Sequence, residues 1–184
     1  AQINQRLTQF GYPSLVQSYY YQESTKKALI ERMISQNPCG AILLATDIDD
    51  DTYQLLSKAS IPTVIVNQIP SAFHKIPIDC VLSDGYAGGV VLAEYLIKKG
   101  HKKIAYVGSV KSNSSIADRY FGYLKAVRQY GLEERADWIV EDRVPGTMEI
   151  IEPKLPKDMP TAFVCNCDQT ASMLIHELES NGYR

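Results

Sequence analysis

The stretch Cys80–Tyr123, CVLSDGYAGGVVLAEYLIKKGHKKIAYVGSVKSNSSIADRYFGY, limits what this chain can fold into more than any other. Cys80–Leu82 is a short apolar run of the kind that forms a buried strand. Ser83 and Asp84 follow it, and a helical pattern then places Gly88, Val91, Leu92, Tyr95 and Leu96 on one face. Gly100 stops that helix, with Lys98 and Lys99 in its last turn, where cations suit the helix dipole. Ile104–Val107 resumes as a second buried strand ending at Gly108, so the order reads as a βαβ crossover in a parallel sheet. After a polar loop, Ser115 and Asp118 read as a capping box opening a further helix with the stripe Ile116, Tyr120, Leu124 and Val127. Arg119 falls in its first turn.

In open parallel α/β sheets, ligands bind beyond the carboxyl ends of the strands, where helix N-termini and loops converge. Asp84, the loop after Gly108 and Arg119 all fall on that edge. A carboxylate and a guanidinium facing one cleft can hold a polar small molecule, each charged hydrogen bond contributing roughly 1.5–3 kcal/mol. Each residue also has a purely structural reading, Asp84 as an N-cap and Arg119 as a surface residue of a helix.

The segments SDGYAGGVVLAEYLIKKGHKKIAYVG and DRYFGY, followed further on by PTAFVCNCDQTASMLIHELESNGYR, resemble the sugar-sensing domain of the lactose-repressor/galactose-repressor family of bacterial transcription regulators. The order and spacing of these segments over about half the chain carry the resemblance. It implies an α/β fold of two doubly wound parallel-sheet subdomains, the type I periplasmic-binding-protein fold, with the effector in the cleft between them. On that pattern residues 1–82 form the N-terminal subdomain and residues 83–184 the C-terminal one. The first strand of the one and the last strands of the other fall outside the sequence, so an incomplete domain is the expectation. The helix-turn-helix that reads operator DNA in the family is likewise expected outside this chain. The resemblance makes Arg119 the anchoring donor and Asp84 the acceptor for the effector, with Asn166, Cys167 and Asp168 beside them and Val144 or Pro145 as apolar wall. The family commonly has an asparagine immediately before the position of Asp168, and this chain has Cys167 there.

Composition excludes other classes. A net charge of −2 with 22% charged residues leaves no basic footprint for nucleic acid within the chain itself. No apolar run approaches the 18 or so residues of a membrane span, and no leader is visible at Ala1. Cys39, Cys80, Cys165 and Cys167 are scattered through apolar surroundings, which favours reduced thiols in a cytoplasmic protein. Cys165 and Cys167 face the same way if the strand continues. His74, His101 and His176 have no ligand spacing to join them, so no metal is expected. Gly85, Gly88 and Gly89 have the wrong spacing for a dinucleotide-binding turn, and no Ser/His/Asp arrangement stands out; no cofactor and no catalytic residue are assigned. The expected function is a sensor of a sugar or other small metabolite that controls DNA binding by a homodimeric repressor. A solute-binding protein of a transport system shares the fold and is the alternative.

The remaining chain alternates strands and helices. Ile3, Leu7 and Phe10 have helical spacing; Ser14–Tyr21 is β-rich; Ser24 opens a helix with the stripe Leu29, Ile30, Met33 and Ile34. Ala41–Ala45 and Ile61–Val66 read as buried strands, the second delivering Asn67 to the ligand edge. Asp47, Asp49 and Asp51 alternate as in a calcium loop, but Thr52 and Lys58 occupy the glycine and glutamate positions; a loop capping the helix of Tyr53, Leu55 and Leu56 is the expectation. Trp138–Val140 reads as a strand. Thr147–Pro160 holds Pro153, Pro156 and Pro160, leaving room for at most a helical turn where the resembling family has a helix. Thr161–Cys165 is a last strand, and Asp168 the expected cap of a helix with the stripe Ala171, Leu174, Ile175 and Leu178.

Overall fold

The computed structural model describes residues 2–18, 23–44, 49–67, 78–145, 147 and 149–183. Its strands form two all-parallel sheets. In the first, β1 (Ala41–Leu44), β2 (Thr63–Val66) and β3 (Asp79–Val81) lie in that order, Ile65 pairing with Leu43 on one side and Cys80 on the other. In the second, β4 (Ile104–Val107) lies between β5 (Ile139–Val140) and β6 (Ala162–Cys165), with Val107 opposite both Val140 and Cys165. The β-rich segment before the second helix is exposed over Ser14–Gln17, without strand pairing; its tyrosines 19–21 lie outside the described residues.

The expected βαβ crossover is corrected here: β3 and β4 belong to different sheets. The helix between them, α4 (Gly85–Lys98), leaves the first sheet and packs on the elements of the second. Its buried face is also not the apolar stripe read from the sequence. Gly85, Gly89 and Ala93 are buried, whereas Val91, Leu92 and Tyr95 are 65%, 50% and 58% exposed. The reason is the partner helix α5 (Ser114–Gln129), which approaches α4 backbone to backbone. A Cβ on Gly89 would lie 2.1 Å from the Arg119 carbonyl oxygen, and one on Gly122 would lie 2.0 Å from that of Tyr86. Only glycine permits such an approach.

Two other local expectations are replaced. Asn113, not Ser115, caps α5, its Oδ1 accepting from the Ile116 N–H at 2.8 Å. Cys167, not Asp168, is the N-cap of α6 (Asp168–Ser180), and Asp168 is the first helical residue. Asp49 caps α3 (Asp50–Lys58), accepting from the Thr52 N–H. Lys26 of α2 (Glu23–Ser35) reaches the same carboxylate at 2.9 Å. Between Arg143 and Thr161 no helix forms among the described residues, and an isolated antiparallel bridge joins Arg143 to Ile150.

The cores follow the two sheets. Ile30, Tyr53, Leu56, Ile65 and Ile78 pack around the first. Around the second, Tyr106, Ile116, Tyr123, Ala126, Val127 and Val164 form the larger cluster, with Val107, Val140 and Leu174 on the opposite face. Tyr106 and Tyr123 keep their hydroxyls satisfied by donating to the carbonyls of Ile116 and Ile104, as buried phenols must. No helix of the described residues is long and apolar enough to cross a membrane.

Candidate functional site

Parallel strands deliver their carboxyl ends to one edge, and in both sheets the polar residues gather there. Asn67 leaves β2 with a left-handed backbone (φ 69°), which asparagine tolerates better than most residues. Its N–H donates to the Val81 carbonyl, and its Oδ1 accepts from Ser83 Oγ at 3.1 Å, tying together the ends of β2 and β3. These residues and Leu82 form one wall of a small cleft of about 30 Å³, whose other wall is Ser114, Ser115 and Asp118 of α5. The cleft therefore joins the edge of the first sheet to the helix packed on the second.

Asp84 and Arg119 flank this cleft without lining it. The Asp84 Oδ1 accepts from the Ala87 N–H at 2.8 Å, so the carboxylate caps α4 while standing exposed at its end. Arg119 stretches back along α5, where Nη1 donates to the Ser115 carbonyl (2.8 Å) and to Ser115 Oγ (2.6 Å). Its stem passes over the N-terminus of α4, since a Cβ on Gly85 would meet the Arg119 Cγ at 3.2 Å. Its Nε and Nη2 have no hydrogen-bond partner among the described residues. The structure thus brings Asp84 and Arg119 to the same end of the α4/α5 pair.

The second group of candidates sits at the edge of the second sheet, around a carboxylate the sequence reading missed. Asp142, two residues past β5, is fully buried. Its Oδ1 accepts from the Ser109 N–H at 2.8 Å, and its Oδ2 accepts from Asn166 Nδ2, Thr170 Oγ1 and Arg143 Nη1. Ser109 returns the contact, its Oγ accepting from the N–H groups of Asp142 and Arg143. Asn166 faces inward, 5% exposed, and its amide also donates to the Val107 carbonyl. Arg143 is 5% exposed, and its Nη2 lies 3.9 Å from Cys167 Sγ. Asp168 stands outside this network, exposed in the first turn of α6. Val144 follows directly after Arg143, half-buried, and Pro145 is exposed.

Burial alone would push the Cys167 thiol up. The Thr170 hydroxyl and N–H together with Arg143 outweigh that and lower it below the ordinary thiol value. Cys165 moves oppositely: burial pushes it up to about 12, with Cys167 and Asp142 adding to the rise. Tyr106 links the two groups of residues. Burial raises its phenol well above the usual range; the Arg119 cation opposes this, while Asp142, Cys165 and Cys167 reinforce it. Among the described residues no three metal-ligating side chains cluster.

One signal could have exposed the missed residues: Asp142 and Arg143 are a charged pair placed directly after the apolar Ile139–Val140 at a strand's carboxyl end. Ser109 and Thr170 carry no such mark, because their partners lie 33 and 28 residues away.

The whole chain, residues 1–184, matches the family described as periplasmic binding proteins and sugar binding domain of LacI family. The chain belongs to this family. Similar proteins include the HTH-type transcriptional repressor PurR of Mannheimia succiniciproducens, 27% identical over 159 residues, which are 84% of this chain and 47% of that protein. The NTD biosynthesis operon regulator NtdR of Bacillus subtilis is 27% identical over 180 residues, 95% of this chain and 53% of the relative. The chain spans about half the length of these relatives. Among solved structures, transcription regulator CcpA of Lactococcus lactis matches with a TM-score of 0.81 at 19% identity, over 99% of this chain and 66% of that one. A LacI family transcriptional regulator from Lactobacillus casei with bound glucose matches with a TM-score of 0.74 at 18% identity, over 99% and 69%. As a member of this family the chain carries the type I periplasmic-binding-protein fold, and the relatives named are transcriptional regulators.

Proposed function

We propose that this chain is the effector-sensing part of a cytoplasmic transcriptional repressor that works as a homodimer and reads DNA through a segment outside the chain. The observation that carries the reading is the cleft between Asn67, Leu82 and Ser83 on one side and Ser114, Ser115 and Asp118 on the other. One wall is the edge of the first sheet and the other the start of α5, which packs on the second sheet, and the two sheets share no strand, so a ligand bridging the walls senses their relative placement. On this reading residues 1–82 and 83–184 are the two subdomains, and Leu82–Asp84 is one of the segments that cross between them.

A small polar metabolite, a sugar in the first instance, enters from the open side. Arg119 turns its Nε and Nη2 donors to it, and Asp84 accepts from a hydroxyl with the carboxylate oxygen not engaged by Ala87. Cys167, Asp168 and Asn166 complete the far edge, with Val144 or Pro145 as apolar wall. Only a ligand that binds one relative placement of the subdomains more tightly than the other shifts the equilibrium; a hundredfold preference shifts it by about 2.7 kcal/mol. The names of the relatives favour a regulator over a transport protein, and no enzymatic role is proposed.

The test is a thermal-shift screen of the full-length protein containing this chain against sugars and purines, repeated with Arg119→Ala. A compound at 100 times its dissociation constant adds about 2.7 kcal/mol of stability. The expected result is a compound that raises the midpoint of the wild type and not of the variant. A compound that acts equally on both proteins removes Arg119 from the site.

A further inference from the structure

Cys167 differs from the other cysteines in what surrounds its sulfur. Cys39 is exposed on a loop, and Cys165 is held up to about 12 by burial. Cys167 is half-buried at the N-cap of α6, its Sγ 3.3 Å from Thr170 Oγ1 and 3.9 Å from Arg143 Nη2. The Nε of Arg143 is buried and has no hydrogen-bond partner among the described residues. Nε and Nη2 form one edge of the guanidinium fork, and elsewhere in this chain that edge grips two oxygens at once. Arg128 holds Glu134 with Nε and Nη2 at 2.6 and 2.9 Å, and Arg135 holds Asp137 at 3.0 and 2.6 Å. At Arg143 the same edge finds a sulfur at one donor and nothing at the other. A buried donor left unmatched is costly, and an oxygen added to the sulfur would supply the second acceptor.

We propose that Cys167 is a peroxide-sensitive thiol, oxidised to a sulfenic acid whose oxygen is taken by the Nε/Nη2 edge of Arg143. The sulfur attacks one oxygen of hydrogen peroxide; the S–O bond forms and the O–O bond breaks. The departing oxygen takes up the thiol proton and leaves as water. Sulfur loses two electrons and the peroxide gains them. Thr170 has one hydroxyl proton for two neighbours: while it is donated to Asp142, the Cys167 S–H donates to Thr170 Oγ1. As the thiolate forms, that hydroxyl turns to the sulfur, and Asp142 keeps its donors from Ser109, Asn166 and Arg143. The charged and titratable groups around the sulfur are Asp142 and Arg143 after β5, Tyr106 on β4, Cys165 on β6 and Asp168 on α6. Any consequence of oxidation for effector affinity rests on the proposed function; the chemistry itself does not.

The test exposes the full-length protein to hydrogen peroxide with dimedone present, between pH 5.5 and 8.5, and locates the adduct on each cysteine by peptide fragmentation. At pH 6.5 Cys167 is expected to be labelled about tenfold faster than Cys39, Cys80 or Cys165, since Thr170 and Arg143 favour its thiolate and the free Arg143 donor takes the oxygen as it is added. With rising pH its rate levels off earlier than that of N-acetylcysteine, which is still climbing towards its plateau at pH 8.5, because the Cys167 thiolate is fully formed at a lower pH. Arg143→Lys keeps a cation but removes the two-donor edge, and is expected to slow Cys167 about tenfold; if that variant does not fold, the site selectivity and pH profile of the wild type decide alone. Labelling of Cys167 no faster than Cys39, or an unchanged rate in folded Arg143→Lys, overturns the proposal.

Discussion

Gly122→Ala is expected to destabilise the protein even though alanine is the better helix former. In isolation the change favours a helix interior by about 1 kcal/mol. Here the new Cβ would lie 2.0 Å from the Tyr86 carbonyl oxygen, 2.9 Å from its carbon and 3.0 Å from the Val90 nitrogen, all backbone atoms of α4. Neither rotamer change nor local repacking relieves a clash with backbone, so the two helices must separate by more than 1 Å. A radial gap of 0.5–1 Å already forfeits a quarter to a half of each dispersion contact across it. The facing residues Ala93, Tyr123 and Ala126 are all buried and lose those contacts together. Overpacking of this kind typically costs 1–3 kcal/mol, and a backbone clash belongs at or above the upper end. Net of the propensity gain, about 2 kcal/mol is lost, or roughly 4–8 °C in Tm for a chain of this size. Gly88→Ala is the internal control: it sits on the same helix pair with nothing within 4 Å of its Cβ, so it should gain a few tenths to 1 kcal/mol. Scanning calorimetry of both variants gives opposite signs if the close approach is as described. A Gly122→Ala protein as stable as Gly88→Ala would refute the backbone contact, and with it the account of why the apolar face of α4 stays exposed.

Other perturbations test the remaining structure. Asp142→Ala strips the acceptor from four donors and leaves the Arg143 cation buried without its carboxylate, so urea unfolding should show a loss of about 3–5 kcal/mol. Asp84→Ala removes the α4 cap at a cost of about 1 kcal/mol, while Asp84→Asn should be nearly neutral in denaturant titration; effector affinity lost in Asp84→Asn would then report the carboxylate's binding role. Asp49 is held at about 2: burial opposes ionisation, but the Thr52 N–H and Lys26 outweigh it. A depressed carboxylate stabilises the fold above its unfolded value and loses that stabilisation as pH falls from about 4 towards 2. Because its side chain is 37% exposed, the expected loss is below about 1 kcal/mol, visible as a step in urea midpoints over that window that Asp49→Asn abolishes.

Residue order and periodicity determined the alternation of short apolar strands and helices, the helix end at Gly100, and the polar edge carrying Asn67, Asp84, Arg119 and Cys167, but not burial, since Ile42 and Leu44 of β1 and Val81 of β3 are exposed where buried strands were expected. Those signals are local, since a strand of four apolar residues or a glycine after a helix acts within one turn of chain. The family, too, was legible from segment order. Periodicity did not separate β3 from β4 into different sheets, because a strand–helix–strand pattern is the same whether the helix crosses within a sheet or between two; only the boundary after Leu82 implied by the family resemblance pointed that way. Tertiary structure alone decided which face of α4 is buried. Periodicity weighs side-chain bulk, and Gly89 and Ala93 gain their place by having almost none, which matters only once the Gly122 backbone lies opposite. The choice of Asn113 over Ser115 as cap came from where the chain enters α5, a matter of loop geometry. The Asp142 network was invisible for the plainest reason: Ser109 after β4, Asp142 and Arg143 after β5, Asn166 after β6 and Thr170 within α6 are brought together only by the fold, and no spacing in the sequence measures a distance through space.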